Sequence, residues 1–364
     1  MTADSNIEAR YRVQRPQFEL DVDVRIPMRG ITGVFGESGA GKTSLLRCIA
    51  GLEQATNSRL VVDGETWQDD DVDFSRPIHE REIGYVFQEP RLFGHLDVRR
   101  NLEYGQRRTR RGDIDFDDVV ALLGLETLLD RNTDTLSGGE AQRVAIARAL
   151  LRAPRFVLMD EPLASLDRVR REEILPFLDR LHVQLAVPII YVSHSIEEIT
   201  RLCDYLLVMD GGRLVAAGQL QQVLLQVSVP ALGGEEAGAV IHARAAKNDT
   251  DYDLTQVEFG GGEMWISGQH EAGVELRLRI RANDVSLCRE VPKATTILNI
   301  LPATIEAIEP DGGSSELVHL AIGNERILAR VTRRSRTQLG LQPGDQVLAQ
   351  IKSVAVRNAP AARR

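Results

Sequence analysis

Residues 36–43 read GESGAGKT, a spacing suited to holding phosphate. Gly36, Gly39 and Gly41 let the backbone wrap tightly, so that successive N–H groups, those of Glu37, Ser38 and Ala40 among them, face one anion. Lys42 then reaches the β- and γ-phosphates of a nucleotide, and Thr43 offers its hydroxyl to Mg²⁺. The implied chemistry is capture of a nucleoside triphosphate, ATP for example, with its Mg²⁺. A second candidate lies at Leu136-Ser137-Gly138-Gly139-Glu140. There a serine and two glycines precede an amphipathic helix, leaving N–H donors and the positive end of the helix dipole facing outward. The same residues also spell a helix cap, Ser137 with Glu140 three positions on. Taken alone, either reading accounts for them.

These residues need rigid elements on both sides. The apolar run Ile31–Phe35 leads into the loop as a buried strand, and the helix-compatible run Lys42–Ala50 leaves it and stops at Gly51. Through the first two-thirds of the chain, strand-like runs at 83–87, 155–159, 189–192 and 206–209 alternate with helix-like runs at 117–123, 140–151, 168–185 and 196–202. That alternation predicts an α/β domain, and the continuously apolar runs from 155 and 189 suit strands buried on both faces. Beyond about residue 230 the texture changes to short alternating segments, at 303–308, 317–322, 326–331 and 347–356, parted by Gly- and Pro-rich turns. The expectation there is a small all-β barrel or sandwich. Residues 239–290 and 293–357 could be internally similar, which inspection of the sequence does not establish.

The composition narrows the class further. At 364 residues the chain accommodates two or three domains, and 43% hydrophobic with 27% charged residues is ordinary for a globular protein. A net charge of −9 argues against a general nucleic-acid binder. The clusters Arg107, Arg108, Arg110, Arg111 and Arg333, Arg334, Arg336 read as solvated surface. No uninterrupted apolar stretch approaches the roughly 18 residues of a membrane span, and the N-terminus lacks an apolar signal core. Cys48, Cys203 and Cys288 have no metal or disulfide spacing, so reduced thiols in a cytosolic protein are expected.

LSGGE, followed by Gln142 and Arg143, resembles the signature motif of the ABC ATPases. In that family it binds the γ-phosphate of ATP held by the opposite subunit. The family's other motifs follow in order. Phe156-Val157-Leu158-Met159-Asp160-Glu161 is similar to Walker B, which implies Asp160 as an organiser of Mg²⁺ and Glu161 as the group that polarises the attacking water. Gln88 matches the Q-loop glutamine that senses Mg²⁺ and water, Ser165-Leu166-Asp167 the D-loop that crosses the dimer interface, and His194 the switch histidine on the γ-phosphate. Tyr11 stands at the distance of the aromatic that stacks on adenine, with Phe18 as its competitor. The resemblance implies an ABC ATPase working as a homodimer with two composite sites, its α/β P-loop domain carrying a helical signature-motif subdomain.

A β domain after a single ATP domain resembles the importer subfamily, whose segment after the Q-loop, here 89–104, docks on an integral membrane permease. Several stretches, among them GITGVFGESGAGKTSLLR and GYVFQEPRLFGHLDVRRNLEYG, resemble the ATP-binding subunits of molybdate importers. The segment 293–358 is similar to their OB-like Mop domain, where the resemblance implies Thr296, Thr332, Lys352 and Ser353 as oxyanion partners. Hydroxyls and one ammonium suit a tetrahedral oxyanion, although Leu298 stands where the family often has Arg. The expected organisation is an ATP-binding domain at 1–234, a connecting β segment at 235–292 and the Mop-like domain at 293–358. The resemblance further implies ATP and Mg²⁺ as cofactors, a peripheral position on the cytoplasmic face of the inner membrane, and indirect cooperation with a periplasmic or extracellular oxyanion-binding protein. Tungstate is an expected second cargo. Sulfate, thiosulfate or another anion, and a soluble molybdate-sensing ATPase, are the alternative functions.

Overall fold

The computed structural model describes residues 5–107, 114–185, 187–226, 229–353 and 357–360. Arg108, Arg110 and Arg111 of the first arginine cluster lie outside the described residues, as does the 354–356 end of the last expected strand. The chain folds as two units, Met1–Gly218 and Gln219–Arg364.

The first unit is built on an eleven-stranded sheet. On one flank, from the edge strand inward, Ile83–Val86, Phe156–Asp160, Ile189–Ser193, Ile31–Phe35 and Tyr205–Asp210 lie side by side in that order, all parallel. Phe156–Asp160 and Ile189–Ser193 are buried at every position, as continuous apolar runs between two helical layers require. The helices expected from the sequence form at Phe116–Leu123, Gly138–Leu150, Arg168–Leu185 and Ile196–Leu202. Gly138–Leu150 packs against Val98–Gln106 and Phe116–Leu123, giving the helical subdomain that carries LSGGE.

The other flank of the sheet is antiparallel. Asn6–Arg15 pairs with Phe18–Pro27 and with Thr56–Val62. Ile7, Ala9, Tyr11 and Val13 on one strand, and Leu20, Val22, Val24 and Ile26 on the next, all turn into the core. This period of two puts one face of the hairpin against Leu45, Leu46 and Ile49 of the phosphate-loop helix. Strand pairing thereby holds the helix start fixed against the sheet.

The second unit is all-β apart from short helices, and contains two five-stranded sheets of matching topology. In one, the long strand Gly238–Asp249 pairs with Leu254–Phe259 on one side and Glu275–Arg281 on the other. In the other, Asn299–Pro310 pairs with Ser315–Ile322 and with Gln346–Ile351. Each sheet takes its fifth strand from the opposite half. Val285–Cys288 joins Gln346–Ile351, and Arg357–Pro360 joins Glu275–Arg281. Residues of both halves, Ile241 and Leu278 with Ile305 and Ile351, share one hydrophobic core. The internal similarity that inspection left open is therefore present as a repeat of topology. In the second arginine cluster, Arg333 and Arg334 are exposed, while Arg336 pairs with Glu316 at 2.8 Å.

Candidate functional site

The phosphate loop connects Ile31–Phe35 to Lys42–Ala50. Gly41 sits at φ 96°, and a Cβ there would stand 2.9 Å from Phe18 Cζ, so only glycine fits. Lys42 is 4% exposed, and its Nζ donates to the carbonyls of Gly36 and Glu37, each at 2.9 Å. The same ammonium lies 3.8 Å from Glu161 Oε1. Burial pulls the Lys42 pKa down, while the Glu161 and Asp160 carboxylates oppose that shift. Thr43 Oγ1 donates to Asp160 Oδ1 at 2.8 Å, and Tyr85 donates to Asp160 Oδ2 at 3.2 Å. Burial holds the Asp160 carboxyl above the usual carboxylate range, despite those two donors.

The register of the parallel strands explains why these groups meet. Asp160 pairs with Val192, which pairs with Val34, so the three strands end together at one edge of the sheet. Residues just past those ends share a crevice, the usual ligand position in open α/β sheets. Glu161 is there with φ 45°, a left-handed conformation that costs a non-glycine residue about 1–3 kcal/mol. Its Oε2 lies 3.0 Å from His194 Nδ1. The structure thus gathers Lys42, Thr43, Asp160, Glu161 and His194 into one cluster, able to hold polyphosphate, a hard cation and a polarised water. Gln88 is exposed just beyond Ile83–Val86. Tyr85 was missed from sequence. Its signal was slight, an aromatic one strand away whose direction depends on the parallel pairing of Tyr85 with Leu158.

At the helical subdomain the capping alternative describes the local structure. Ser137 N–H donates to Glu140 Oε2 at 2.7 Å, and Ser137 Oγ accepts from Glu140 N–H at 3.3 Å. The Ser137 N–H holds the Glu140 carboxyl below its ordinary pKa. Gly139 is buried and Gly138 half-buried, so a stiff, capped helix start presents the loop backbone.

The placement of Tyr11 corrects the sequence reading. Its ring is 1% exposed, packed in the core with its hydroxyl beside Arg81, and burial pushes the phenol pKa far up. A side chain so enclosed cannot stack on a base. Phe18 is half-buried with its ring edge against Gly41, which makes it the aromatic at the phosphate loop. In the second unit the four oxyanion candidates stand apart from one another in their bonding. Thr332 Oγ1 caps the helix Arg333–Leu339 by accepting from Ser335 N–H at 3.0 Å. Ser353 is buried and accepts from Asn299 Nδ2 at 3.2 Å, while Thr296 and Lys352 are exposed. Arg330 is bound to Asp311 and Asn283, each at 2.6 Å.

A cavity of about 290 Å³ opens beside the strand Ile83–Val86, lined by Leu52, Ile78, Phe87, Phe93, Tyr104 and Arg148 among others. Leu52, Ile78 and Tyr104 remain exposed although large and apolar.

Comparison with known proteins places these features in context. Residues 20–164 match the ABC transporter family and residues 295–357 match the TOBE domain. A protein of Aromatoleum aromaticum described as molybdenum import ATP-binding protein ModC is 48% identical over 98% of this chain and 95% of its own length. A protein of Thiobacillus denitrificans with the same description is 49% identical over 97% of this chain and 98% of its own. Among solved structures, cbiO1 of Clostridium perfringens, described as part of the ABC transporter complex cbiONQ, is 27% identical with a TM-score of 0.53. The alignment covers 62% of this chain and 93% of cbiO1.

Proposed function

The chain belongs to the ATP-binding subunits of molybdenum ABC importers, and on that premise we propose that it hydrolyses ATP at two composite sites in a homodimer. The observation that carries this reading is the cluster of Lys42, Asp160, Glu161 and His194 at one sheet edge. Lys42, already turned toward two carbonyl oxygens, exchanges them for β- and γ-phosphate oxygens when ATP enters the loop. Glu161 accepts a hydrogen bond from the attacking water, and His194 fixes the carboxylate and contacts the γ-phosphate. Water oxygen then bonds to the γ-phosphorus as the bond to the ADP oxygen breaks, the water's proton passing to Glu161.

A buried, upshifted carboxylate joined to a hydroxyl is an oxygen donor set that fits a hard dication. Thr43, Gln88 and Asp160 would hold Mg²⁺, which when bound neutralises charge on the phosphate oxygens. Ser137, Gly138 and Gly139 of one copy donate to the γ-phosphate held by the other. Phe18 supplies the apolar surface for adenine.

Among the described residues no helix is long and apolar enough to cross a membrane. By the division of labour in importer ATPases, cargo passes through a separate integral membrane permease, with this subunit peripheral on its cytoplasmic face and an oxyanion-binding protein delivering from the far side. The exposed apolar groove around Leu52, Ile78 and Tyr104 supports permease docking next to Gln88. Tungstate, a tetrahedral dianion like molybdate, is the expected second cargo.

Mixed dimers test the composite sites. With Lys42→Ala in one copy and Ser137→Ala in the other, both lesions fall in one site and the second stays competent. Both changes in the same copy damage both sites. Nucleotide trapping should retain one competent site in the first arrangement and none in the second, and the opposite pattern would show a signature motif acting on its own copy's ATP.

A further inference from the structure

Glu198 is a buried carboxylate to which neither the phosphate loop nor the catalytic cluster gives a role. It is 4% exposed, on the helix Ile196–Leu202 just after His194. One oxygen, Oε2, accepts from both Tyr191 OH and Ser193 Oγ at 2.8 Å. Ser193 Oγ in turn accepts from Ser195 N–H at 2.9 Å, and Ser195 Oγ caps the helix by accepting from Glu198 N–H at 3.4 Å. Both neighbours of His194 are therefore tied to Glu198, while His194 itself has a side chain 53% exposed. An exposed imidazole has little packing to fix it, so its position is set by the backbone that carries it together with its 3.0 Å contact to Glu161.

The other oxygen faces a different element. Glu198 Oε1 lies 3.5 Å from Arg171 Nη1. Arg171 belongs to the helix Arg168–Leu185, and its N–H donates to Asp167 O at 3.0 Å. Asp167 Oδ1 also accepts from Arg170 N–H at 3.0 Å, so the loop 165–167 is welded to the start of this helix. Asp167 is thus bonded to the backbone of both Arg170 and Arg171.

We propose that Glu198 is a positioning residue for His194, and that Arg171 makes that position depend on the helix following residues 165–167. The two carboxylate oxygens divide the work, one holding the backbone around His194 and one holding the helix. Charged partners suit this use, because Glu198 is buried and its carboxylate would be costly to leave uncompensated, although the Arg171 side chain is 31% exposed. The proposal rests on the reading of Glu161 and His194 as the catalytic pair.

The test uses the full-length subunit and its ATP turnover. Glu198→Gln keeps the shape but cannot accept from two hydroxyls with the same charge assistance. It should lower kcat about tenfold, equal to about 1.4 kcal/mol of transition-state stabilisation, with KM for ATP within about twofold. In a His194→Ala background the same change should alter the residual turnover less than about twofold. An equal tenfold fall in both backgrounds would overturn the proposal, as would a lowered Tm with unchanged kcat. If His194→Ala alone retains full turnover, the catalytic reading falls first and the proposal with it. Arg171→Gln should lower kcat by about threefold or more, Arg171→Lys should restore part of it, and combination with Glu198→Gln should add little. These arginine variants decide the matter if Glu198→Gln fails to fold, since fully additive losses or no loss in Arg171→Gln would sever the link.

Discussion

Replacing Phe18 and Tyr11 separately distinguishes the aromatic that touches nucleotide from the one that holds the fold. Phe18 lies half-buried against Gly41 at the start of the phosphate-loop helix, whereas Tyr11 is 1% exposed between the hairpin and that helix. A base stacked on an aromatic ring is worth about 1–3 kcal/mol by alanine substitution, so Phe18→Ala should weaken ATP binding about 5- to 150-fold. Its Tm should move little, because the ring is only partly enclosed. Tyr11→Ala should instead cost about 3–5 kcal/mol of stability, the range for large aromatic deletions in cores. Tyr11→Phe should leave ATP affinity unchanged, since the lost hydroxyl points to Arg81 and not to the loop. Titration of each variant with a fluorescent ATP analogue, alongside thermal melts, separates the outcomes. Weakened nucleotide binding in Tyr11→Phe with an unaltered Tm, or undisturbed binding in Phe18→Ala, would refute the assignment.

Two other perturbations probe the remaining sites. Asp160 has a folded pKa raised by burial, so its contribution to stability is full below the ordinary carboxylate pKa and is lost as pH rises through the raised value. At neutral pH, Asp160→Asn should therefore raise the Tm of the nucleotide-free protein while removing Mg²⁺-dependent hydrolysis, and a lower Tm would contradict the burial argument. In the second unit, Leu298 is 57% exposed where an arginine could reach an anion. Calorimetric titration of the full chain with molybdate should give weak binding that Leu298→Arg tightens about ten- to a hundredfold, and sub-micromolar binding by the unaltered chain would reject the weak site.

What could be read from the sequence follows the range of the interactions involved. The phosphate loop was legible from its own spacing, whereas the paired carboxylates and His194 took their roles from the family resemblance, and the strand register brings all of them together. Tyr11 was misread because its distance from Gly36 was weighed above its own pattern. Ile7, Ala9, Tyr11 and Val13 alternate strictly, and that period already assigns the tyrosine to the core face. Glu198 looks in sequence like an acidic residue of a first helical turn, and its inward direction depends on Tyr191 and Arg171, which lie on two other elements. The exchange of Val285–Cys288 and Arg357–Pro360 between halves is wholly non-local, which is why alternation at 303–351 gave the strands without their partners. The resemblance suggested Thr332 and Ser353 as anion partners, whereas a local helix cap and a long-range bond to Asn299 already engage them.

ATP hydrolysis by this subunit drives molybdate import. The most direct measurement is the ATPase rate of the subunit reconstituted with its permease in vesicles, with oxyanion-binding protein and one anion at a time on the opposite side. Molybdate, and tungstate with it, should stimulate hydrolysis and be taken up, while Glu161→Gln abolishes both. Stimulation by sulfate or thiosulfate but not molybdate, or hydrolysis indifferent to every oxyanion, would contradict the account.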